Sequence, residues 1–168
     1  MEHRTTDLLA LAEQLARERH AGQTDKAGAA YWMHPQRVSQ GCTSDEVRIA
    51  GWLHDLIEDT GTTAEELLTL GFPPDVVAAV QLDTRRPDES YMDYIQRIVD
   101  ACDSQDPAVA RAGRIAREVK MSDLRDNMNL DRLPTVTDTD RARVEKYRAA
   151  YSVLENSCAP APGIDATR

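Results

Sequence analysis

The sequence predicts an all-α fold, a bundle of about seven or eight helices. Several segments repeat apolar residues at spacings of three and four, which is the period of a helix with one buried face. Residues that begin or end helices separate these segments. No segment shows convincing alternation of apolar and polar residues, which a half-buried strand would require. Helices are therefore expected throughout the folded part of the chain.

The first helix is predicted from apolar residues that recur at helical spacing over 8–16. Gly22 is expected to end it, because glycine suits the turn that follows a helix. Residues 23–33 contain glycine breaks and no periodicity, so a loop is expected there. Pro35 suits the first turn of a short helix over 35–39, since the N–H that it lacks is not needed at that position.

A strongly apolar helix is predicted next. Thr43 or Ser44 is expected to serve as its N-cap. Its apolar positions form a stripe that is broad enough for burial on most sides, and Gly61 is expected to end it. The last two turns carry four polar side chains among apolar neighbours: His54, Asp55, Glu58 and Asp59.

Five more helices are predicted in the rest of the chain, over about 63–71, 73–82, 90–101, 107–129 and 138–155. Thr63 opens the first with a capping-box pattern, prolines open the second and the fourth, and Thr137 or Asp138 caps the last. Residues 157–168 are rich in proline, alanine and glycine and predict a flexible tail. One domain over 1–156 is expected, because 168 residues leave little room for a second core.

Charge and hydropathy narrow the possible partners. The net charge of -9 argues against nucleic acid, because affinity for the phosphate backbone needs a basic surface. A small phosphorylated substrate stays compatible, since a metal or local cations act at short range. The charged segment 1–20 and the lack of a long apolar run predict no signal peptide and no membrane contact, so the cytoplasm is the expected location. Cys42, Cys102 and Cys158 fit no metal-ligand spacing and are expected as isolated thiols.

The segment 54–59 concentrates ionisable groups in a short stretch. On a helix, Glu58 lies over His54 and Asp59 lies over Asp55, because residues four apart share a face. Carboxylates packed together repel one another and are costly to bury without a positive charge among them. A divalent cation would supply that charge. A helix end turned toward solvent is the alternative, and the apolar residues around the motif argue against it.

Two other positions extend this candidate site. His34 stands directly before Pro35, which restricts its backbone. Asp123 and Asn127 are four residues apart on one helix face, and Lys120 lies one turn earlier. Two imidazoles with two carboxylates, and no thiolate, suit Mn²⁺, Fe²⁺ or Co²⁺ with water completing the coordination, and Zn²⁺ is also compatible.

Three segments, 20–35, 53–60 and 119–128, resemble the motifs of the HD-domain phosphohydrolase superfamily. The similarity is closest to the hydrolase domain of RelA/SpoT homologues and to the stand-alone small alarmone hydrolases. The resemblance implies an HD-type helical domain that uses Mn²⁺ to release pyrophosphate from the 3′ position of ppGpp or pppGpp. By matching position it implies four metal ligands: His34, His54, Asp55 and Asp123.

The resemblance also implies roles around the metal. Glu58 and Asp59 would position and deprotonate the attacking water, and Asn127 would contact the ribose. The other candidates for substrate binding are Lys26, Tyr31 and Lys120, of which the two lysines would supply charge for phosphate. Arg85 and Arg86 form a basic pair before a proline and are interpreted as surface residues.

Three positions depart from the alarmone-hydrolase pattern, and all three concern the nucleotide. Asp25 stands where an arginine usually faces the guanine base, Ala30 replaces a proline, and Leu130 replaces a polar residue. Two alternatives therefore stay open. One is an HD phosphohydrolase that acts on another nucleotide or on a nicotinamide cofactor phosphate. The other is a non-catalytic module that binds a nucleotide or keeps a structural metal. The sequence does not indicate the oligomeric state.

Overall fold

The computed structural model describes the backbone of residues 2–157 and the side chains of residues 5–157. Within those residues the chain forms helices joined by short loops and no β-strand, which confirms the all-α prediction. The helices are α1 (Glu2–Arg19), α2 (Met33–Gln40), α3 (Asp45–Leu53), α4 (Leu56–Thr60), α5 (Ala64–Thr69), α6 (Pro74–Asp83), α7 (Tyr91–Cys102), α8 (Pro107–Met128) and α9 (Asp138–Asn156). The predicted tail lies, from residue 158 onward, outside the described residues.

Side-chain caps fix several helix starts. Ser44 at the start of α3 and Thr63 at the start of α5 each accept a hydrogen bond from a backbone N–H three residues later. At the start of α9, Thr137 and Asp140 form a reciprocal capping box. These bonds satisfy N–H groups that have no partner inside their own helix. Local sequence therefore determines these boundaries.

The helix predicted through the motif at its C-terminal end is in fact two helices. Helix α3 ends at Leu53, and α4 begins only at Leu56. The Nδ1–H of His54 donates to the Gly51 carbonyl oxygen at 2.9 Å. A continuous helix would use that carbonyl to accept the backbone N–H of Asp55. The prediction of one continuous helix is wrong here, because a side chain takes a backbone acceptor.

Smaller differences between the prediction and the structure concern the segment before α2 and the segment after α8. Helix α2 begins at Met33 and not at Pro35, which lies inside its first turn, where a missing N–H costs nothing. The loop before it is pinned by one antiparallel bridge between Thr24 and Ala30. After α8, Leu130–Arg132 forms a single 3₁₀ turn that the sequence pattern does not predict. Both loops border the candidate site.

Helix α8 lies at the centre of the bundle and packs against α2, α3, α6, α7 and α9. Helices α2 and α3 approach each other closely because Gly51 has no side chain. A Cβ at that position would lie 2.9 Å from Ser39 Cα, which is closer than real Cβ contacts allow. Helices α2, α3 and α8 thus meet in the interior, and they bring together His34, His54 and Asp123.

The expectations drawn from composition have mixed outcomes. Cys42 is a buried free thiol, as expected. Cys102 is disulfide-bonded, so the expectation of an isolated thiol is wrong there. Spacing along a chain does not show which side chains a fold brings together. Cys158 lies outside the described residues.

None of the described helices is long and apolar enough to cross a membrane.

Candidate metal centre

Three polar side chains converge inside the bundle, from α2, from α8 and from the residue that follows α3. His34 Nε2 lies 3.1 Å from Asp123 Oδ1, and His54 Nε2 lies 3.9 Å from the same oxygen. All three residues are buried, and one ligand-type atom of each lies within 4.8 Å of the others. Two ring nitrogens and a carboxylate oxygen at these separations are a donor set that divalent cations accept.

Hydrogen bonds on the far side of each imidazole determine which nitrogen faces this group. His54 Nδ1 donates to Gly51 O at 2.9 Å, and His34 Nδ1 donates to Asp126 Oδ2 at 2.7 Å. In both rings Nε2 is then the nitrogen that faces Asp123. His54 Nε2 is buried and has no hydrogen-bond partner among the described residues. Metal-binding histidines have this arrangement, with the other ring nitrogen held from behind, so the residues present fit a divalent cation.

Asp55 borders the group from the junction of α3 and α4. Its Oδ2 lies 3.1 Å from His54 Nε2 and 3.6 Å from His34 Nε2, and it accepts a hydrogen bond from Tyr31 Oη at 2.8 Å. The Asp55 side chain is 20% exposed, whereas the side chains of His34, His54 and Asp123 are at most 8% exposed. Asp55 is therefore the member of the predicted ligand set that is most accessible from solvent.

A carboxylate outside the predicted site, Asp126, holds His34 in place. It accepts hydrogen bonds from His34 Nδ1, from Arg37 Nε at 2.6 Å and from Arg132 Nη2 at 3.2 Å. Burial alone would raise the pKa of Asp126, but the hydrogen bonds from His34 and Arg37 hold it at about 2. Asp126 follows Asp123 by three residues, and that spacing is the sequence signal that places both on one face of α8.

Lys120 and Asn127, two predicted substrate contacts, both bind Asp123. Lys120 Nζ lies 2.7 Å from Asp123 Oδ2, and Asn127 Nδ2 donates to Asp123 Oδ1 at 2.5 Å. The ammonium group of Lys120 also stands 5.0 Å from the centroid of the Tyr94 ring. In this structure the two side chains orient a predicted metal ligand, and their contacts with substrate stay predictions.

Two cavities adjoin at this group of side chains. The metal-side cavity, of about 340 Å³, is lined by Asp55, Asp123 and side chains from α6 to α9. The loop-side cavity, of about 280 Å³, lies along the loop before α2 and the 3₁₀ turn after α8. Tyr31, His34 and Asn127 line both cavities. One elongated molecule can therefore occupy both cavities and lie against the candidate metal centre.

The remaining predicted residues line these cavities. Glu58 and Asp59 are exposed at the metal-side cavity, where Glu58 Oε2 accepts a hydrogen bond from the backbone N–H of Arg85 at 3.0 Å. The Lys26 side chain lines the loop-side cavity and is 57% exposed, and its Nζ lies 3.2 Å from Asp140 Oδ1. The Lys26 side chain is thus largely solvated, and its ammonium group lies beside the loop-side cavity.

Comparison with known proteins places this site in a family. The HD domain family model matches residues 12–125, which is more than half of the chain and includes all four predicted metal ligands. The chain belongs to the HD-domain family. This membership confirms the predicted fold type and the predicted enzyme class, a metal-dependent hydrolase of the HD type.

A solved structure shares the fold of this HD domain. It covers 89% of this chain and 86% of its own, with a TM-score of 0.65 and 24% sequence identity. That structure is described as a metazoan orthologue of SpoT that hydrolyses ppGpp and plays a role in starvation responses. No curated relative matches the sequence. At this identity the structural likeness supports the fold alone.

Several residues that line the metal-side cavity of the HD domain are not among the predicted site residues. Its lining includes residues of α6, α7 and α9 that the sequence pattern does not single out: Asp83, Tyr91, Tyr94, Lys146 and Tyr147. Arg85, interpreted as a surface residue, is exposed but also lines this cavity. These residues lie in ordinary amphipathic helices far apart along the chain, so no local spacing could reveal their proximity.

Asp25, which departs from the alarmone pattern, shapes the loop-side cavity of the HD domain. Its Oδ1 accepts hydrogen bonds from the backbone N–H groups of Ala27 and Ala29, both at 2.9 Å. Its Oδ2 accepts a hydrogen bond from Arg132 Nη1 at 3.2 Å. Arg132 and Leu130, from the 3₁₀ turn, line the same cavity. The loop-side cavity therefore has a guanidinium group, but from a different segment of the chain than the alarmone pattern uses.

Without a metal, the two imidazoles of the candidate metal centre bind protons more tightly than an ordinary imidazole does. Burial opposes the charged form of His34, but Asp123, Asp126 and Asp55 outweigh it and raise the pKa of His34 to about 10. The pKa of His54 is also raised, because Asp55 and Asp123 outweigh its burial. An unperturbed imidazole has a pKa of about 6.5. The His34 ring is therefore protonated at neutral pH without metal, and a cation has to displace that proton.

Binding of Mn²⁺ is accordingly expected to release protons and to tighten as the pH rises from about 6.5 toward 10. Calorimetric titrations in two buffers of different ionisation enthalpy measure the number of protons released. Without metal, the raised pKa of His34 contributes to the stability of the fold. That contribution is complete below about pH 6.5 and is lost as the pH rises through about 10. Affinity for Mn²⁺ that does not change between pH 6.5 and 8.5, with no proton release, would contradict the assigned nitrogen ligands.

Proposed function

We propose that the protein hydrolyses the 3′-pyrophosphate of ppGpp or pppGpp with Mn²⁺ as its metal. The observation that carries the proposal is the convergence of His34, His54 and Asp123, with Asp55 beside them, where two cavities adjoin. The protein with the similar solved structure is described as hydrolysing ppGpp, which supports the same substrate class. The resemblance of three ordered motifs to the alarmone hydrolases supports it further.

Four residues would hold the cation: His34, His54, Asp55 and Asp123. Imidazole and carboxylate donors without a thiolate favour Mn²⁺, with Fe²⁺, Co²⁺ and Zn²⁺ as the alternatives. A divalent cation bound there supplies positive charge that polarises a phosphoryl oxygen and makes a water molecule more acidic. Asp126, Gly51 and Asn127 keep the donor atoms oriented toward it.

Glu58 and Asp59 would take the proton of the attacking water. Both side chains reach the metal-side cavity. Burial, together with the charges of Asp55 and Glu58, raises the pKa of Asp59 above its ordinary value, which makes its carboxylate a stronger base. Water adds to the phosphorus on the 3′ oxygen, the bond between that phosphorus and oxygen breaks, and the 3′ oxygen takes up a proton. The products are pyrophosphate and GDP or GTP.

The two cavities would divide the substrate between them. The nucleoside would occupy the loop-side cavity, where Lys26, Tyr31 and Asn127 are available for contact. The phosphate groups would occupy the metal-side cavity, with Lys120 behind Asp123. Asn127 lines both cavities, so a ribose between base and phosphates would lie next to it.

A second substrate class is favoured by the loop-side cavity. Asp25 is tied to two backbone N–H groups and to Arg132, and does not offer the cation that the alarmone pattern has at that position. Leu130 and Leu133 add apolar surface to the same cavity. These features fit another nucleotide, or a nicotinamide cofactor phosphate, that is hydrolysed by the same chemistry.

The test is the release of pyrophosphate from ppGpp by purified protein with Mn²⁺. We expect turnover by the wild type and a loss of about a thousandfold or more in a His54→Ala variant, since removal of a ligand removes the metal's contribution of several kcal/mol. Equal product from both proteins would reject the proposal. Phosphate release from other nucleotides, with none from ppGpp, would support the second class. Nucleotide binding without any turnover would support a non-catalytic binding module.

Other assignments stay predictions. They are the single domain over 1–156, a small phosphorylated nucleotide as the partner, the absence of nucleic-acid and membrane partners, and residence in the cytoplasm. The hydrolytic chemistry proposed above does not depend on the compartment.

A further inference from the structure

One part of the metal-side cavity is basic and aromatic, in contrast to the carboxylates around the candidate metal centre. Arg85, Tyr91, Lys146 and Tyr147 all line it. Lys146 Nζ stands 4.4 Å from the centroid of the Tyr91 ring and 5.3 Å from the centroid of the Tyr147 ring. Residues from three segments of the chain thus place positive charge beside ring faces in the same cavity as the predicted metal ligands.

Lys146 differs from nearby cations in what its charge contacts. Lys120 is paired with Asp123, and Arg148 is paired with Glu145 at 2.7 Å. For Lys146 the contacts within residues 5–157 are the two ring faces, and no carboxylate there lies within ion-pair distance. Partial burial and the neighbouring cations, Arg85 first among them, lower its pKa. A positive charge that other cations surround is a binding position for an anion.

Arg85 adds a second charge, and no carboxylate of residues 5–157 forms an ion pair with it. Its guanidinium group donates through Nε at 3.0 Å and through Nη2 at 2.7 Å to the backbone carbonyl oxygen of Glu89, which is a neutral acceptor. These two bonds fix the orientation of the guanidinium plane. A fixed guanidinium group with an unneutralised charge is well suited to a phosphate group.

Tyr91 contributes a hydroxyl group that has no partner. Its oxygen is buried and makes no hydrogen bond among the described residues. The ring lies between Tyr94, at 6.0 Å between centroids, and Tyr147, at 5.9 Å, so its position is fixed on both sides. A buried polar group without a partner requires an explanation, and a ligand oxygen at this point in the cavity would supply the missing acceptor.

We propose that Lys146, Arg85 and Tyr91 form a subsite for a phosphate group of the substrate other than the one that is hydrolysed. The assignment of the reacting phosphate to the metal centre rests on the proposed function. The subsite itself rests on three residues that line the same cavity: two cations that pair with no carboxylate of the described residues, and a tyrosine whose buried hydroxyl has no partner among them. It implies that the substrate carries at least two phosphate groups, and that the second one holds the substrate in the cavity while the first one reacts.

Packing of Lys146 against the rings is the alternative explanation for its position. A lysine that serves only to cover Tyr91 and Tyr147 would account for the ring contacts. It would not account for the unpartnered Tyr91 hydroxyl or for the fixed guanidinium group of Arg85. A variant that keeps the hydrophobic stem and removes the charge separates the two explanations.

The experiment measures the binding of inorganic pyrophosphate to the full chain saturated with Mn²⁺, by calorimetry at constant free Mn²⁺. Lys146→Met removes the charge and keeps most of the contact with the rings. Arg148→Met is the matched control, because it removes the same charge from the same helix, and Arg148 lines neither cavity. Tyr91→Phe removes only the hydroxyl, and Lys146→Arg restores the charge.

We expect Lys146→Met to weaken the binding of pyrophosphate about tenfold or more, since a charge-assisted contact is lost, and Tyr91→Phe to weaken it about three- to tenfold. Arg148→Met should stay within about twofold of wild type, and Lys146→Arg should recover most of the affinity. Bound Mn²⁺ should be equal in all variants. Equal affinities of Lys146→Met and Arg148→Met, or no binding by the wild type, would overturn the subsite.

The subsite and the proposed function can fail separately. Binding of pyrophosphate that depends on Lys146, in a protein that leaves ppGpp intact, would keep the subsite and reject the alarmone substrate. Hydrolysis of ppGpp with an unchanged KM in Lys146→Met would keep the function and overturn the subsite. Where both hold, Lys146→Met should raise KM about tenfold and change kcat less than threefold, because the contact binds a phosphate that does not react.

Discussion

Replacement of Asp123 by asparagine should abolish the binding of Mn²⁺, reduce turnover about a thousandfold or more and destabilise the metal-free fold. Asp123 Oδ1 faces both imidazoles, at 3.1 Å from His34 Nε2 and 3.9 Å from His54 Nε2. Burial would raise the pKa of Asp123, but Lys120 and the imidazoles hold it well below its usual range, so the side chain is an anion. An amide in its place takes the negative charge away from the centre of the predicted ligand set.

The loss of stability has a separate cause. Lys120 is buried, and its ammonium group pairs with Asp123 Oδ2 at 2.7 Å. Without that carboxylate a buried charge loses its counter-ion, a change that costs about 3–5 kcal/mol in comparable pairs. Thermal unfolding of the metal-free variant measures this cost, and elemental analysis after equilibration with Mn²⁺ measures the loss of the metal.

A double variant separates the two effects of the Asp123 substitution. Lys120→Met combined with Asp123→Asn removes both members of the buried pair, so most of the lost stability should return. The binding of Mn²⁺ should not return, because methionine and asparagine do not replace the carboxylate ligand. Stoichiometric Mn²⁺ in either variant, with wild-type affinity, would show that Asp123 is not a ligand.

Much of the fold follows from local sequence, because its determinants act within a few residues. Ser44, Thr63 and Thr137 cap helices through bonds to N–H groups three residues away, and these interactions do not depend on the rest of the protein. The break at His54 depends on competition between an imidazole and a backbone N–H for one carbonyl. Periodicity cannot predict the outcome of that competition, since both options bury the same apolar face.

The candidate site could be predicted only in part, for a related reason. His54 and Asp55 are adjacent in sequence, and Asp123 and Asn127 share a helix face, so their chemistry is visible as spacing. Asp25 and Arg132 form an ion pair across more than one hundred residues. Lys146 and Tyr91 likewise meet only in the folded bundle, where α7 and α9 are packed together. Contacts of this kind depend on tertiary packing, which no single segment specifies.

Replacement of Asp59 by asparagine should lower kcat about 10²–10⁴-fold and leave the bound Mn²⁺ unchanged. Asp59 is exposed at the metal-side cavity and is not one of the three residues whose ligand atoms cluster. Its raised pKa suits a group that accepts a proton from water; the causes are partial desolvation of the carboxyl group within the cavity and the charges of Asp55 and Glu58. The substitution keeps the size of the side chain and removes only its capacity as a base.

Glu58 provides the comparison that distinguishes positioning from proton transfer. Glu58 Oε2 already accepts the backbone N–H of Arg85 at 3.0 Å, and the amide oxygen of a Glu58→Gln variant can keep that bond. If Asp59 is the base and Glu58 mainly positions the attacking water, Glu58→Gln should lose less activity than Asp59→Asn. Only Asp59→Asn should then remove the rise of kcat with pH at the acid end, since that rise follows deprotonation of Asp59.

Rates of pyrophosphate release, with Mn²⁺ content measured on the same samples, test this assignment. Asp88→Asn, at an exposed carboxylate that lines neither cavity, is the control and should leave kcat unchanged. A loss of activity in Asp59→Asn that follows a loss of Mn²⁺ would make Asp59 part of the metal site instead. Unchanged kcat in both Asp59→Asn and Glu58→Gln would remove the carboxylate pair from the chemical step. The cation and its bound water would then have to account for the rate without a protein base.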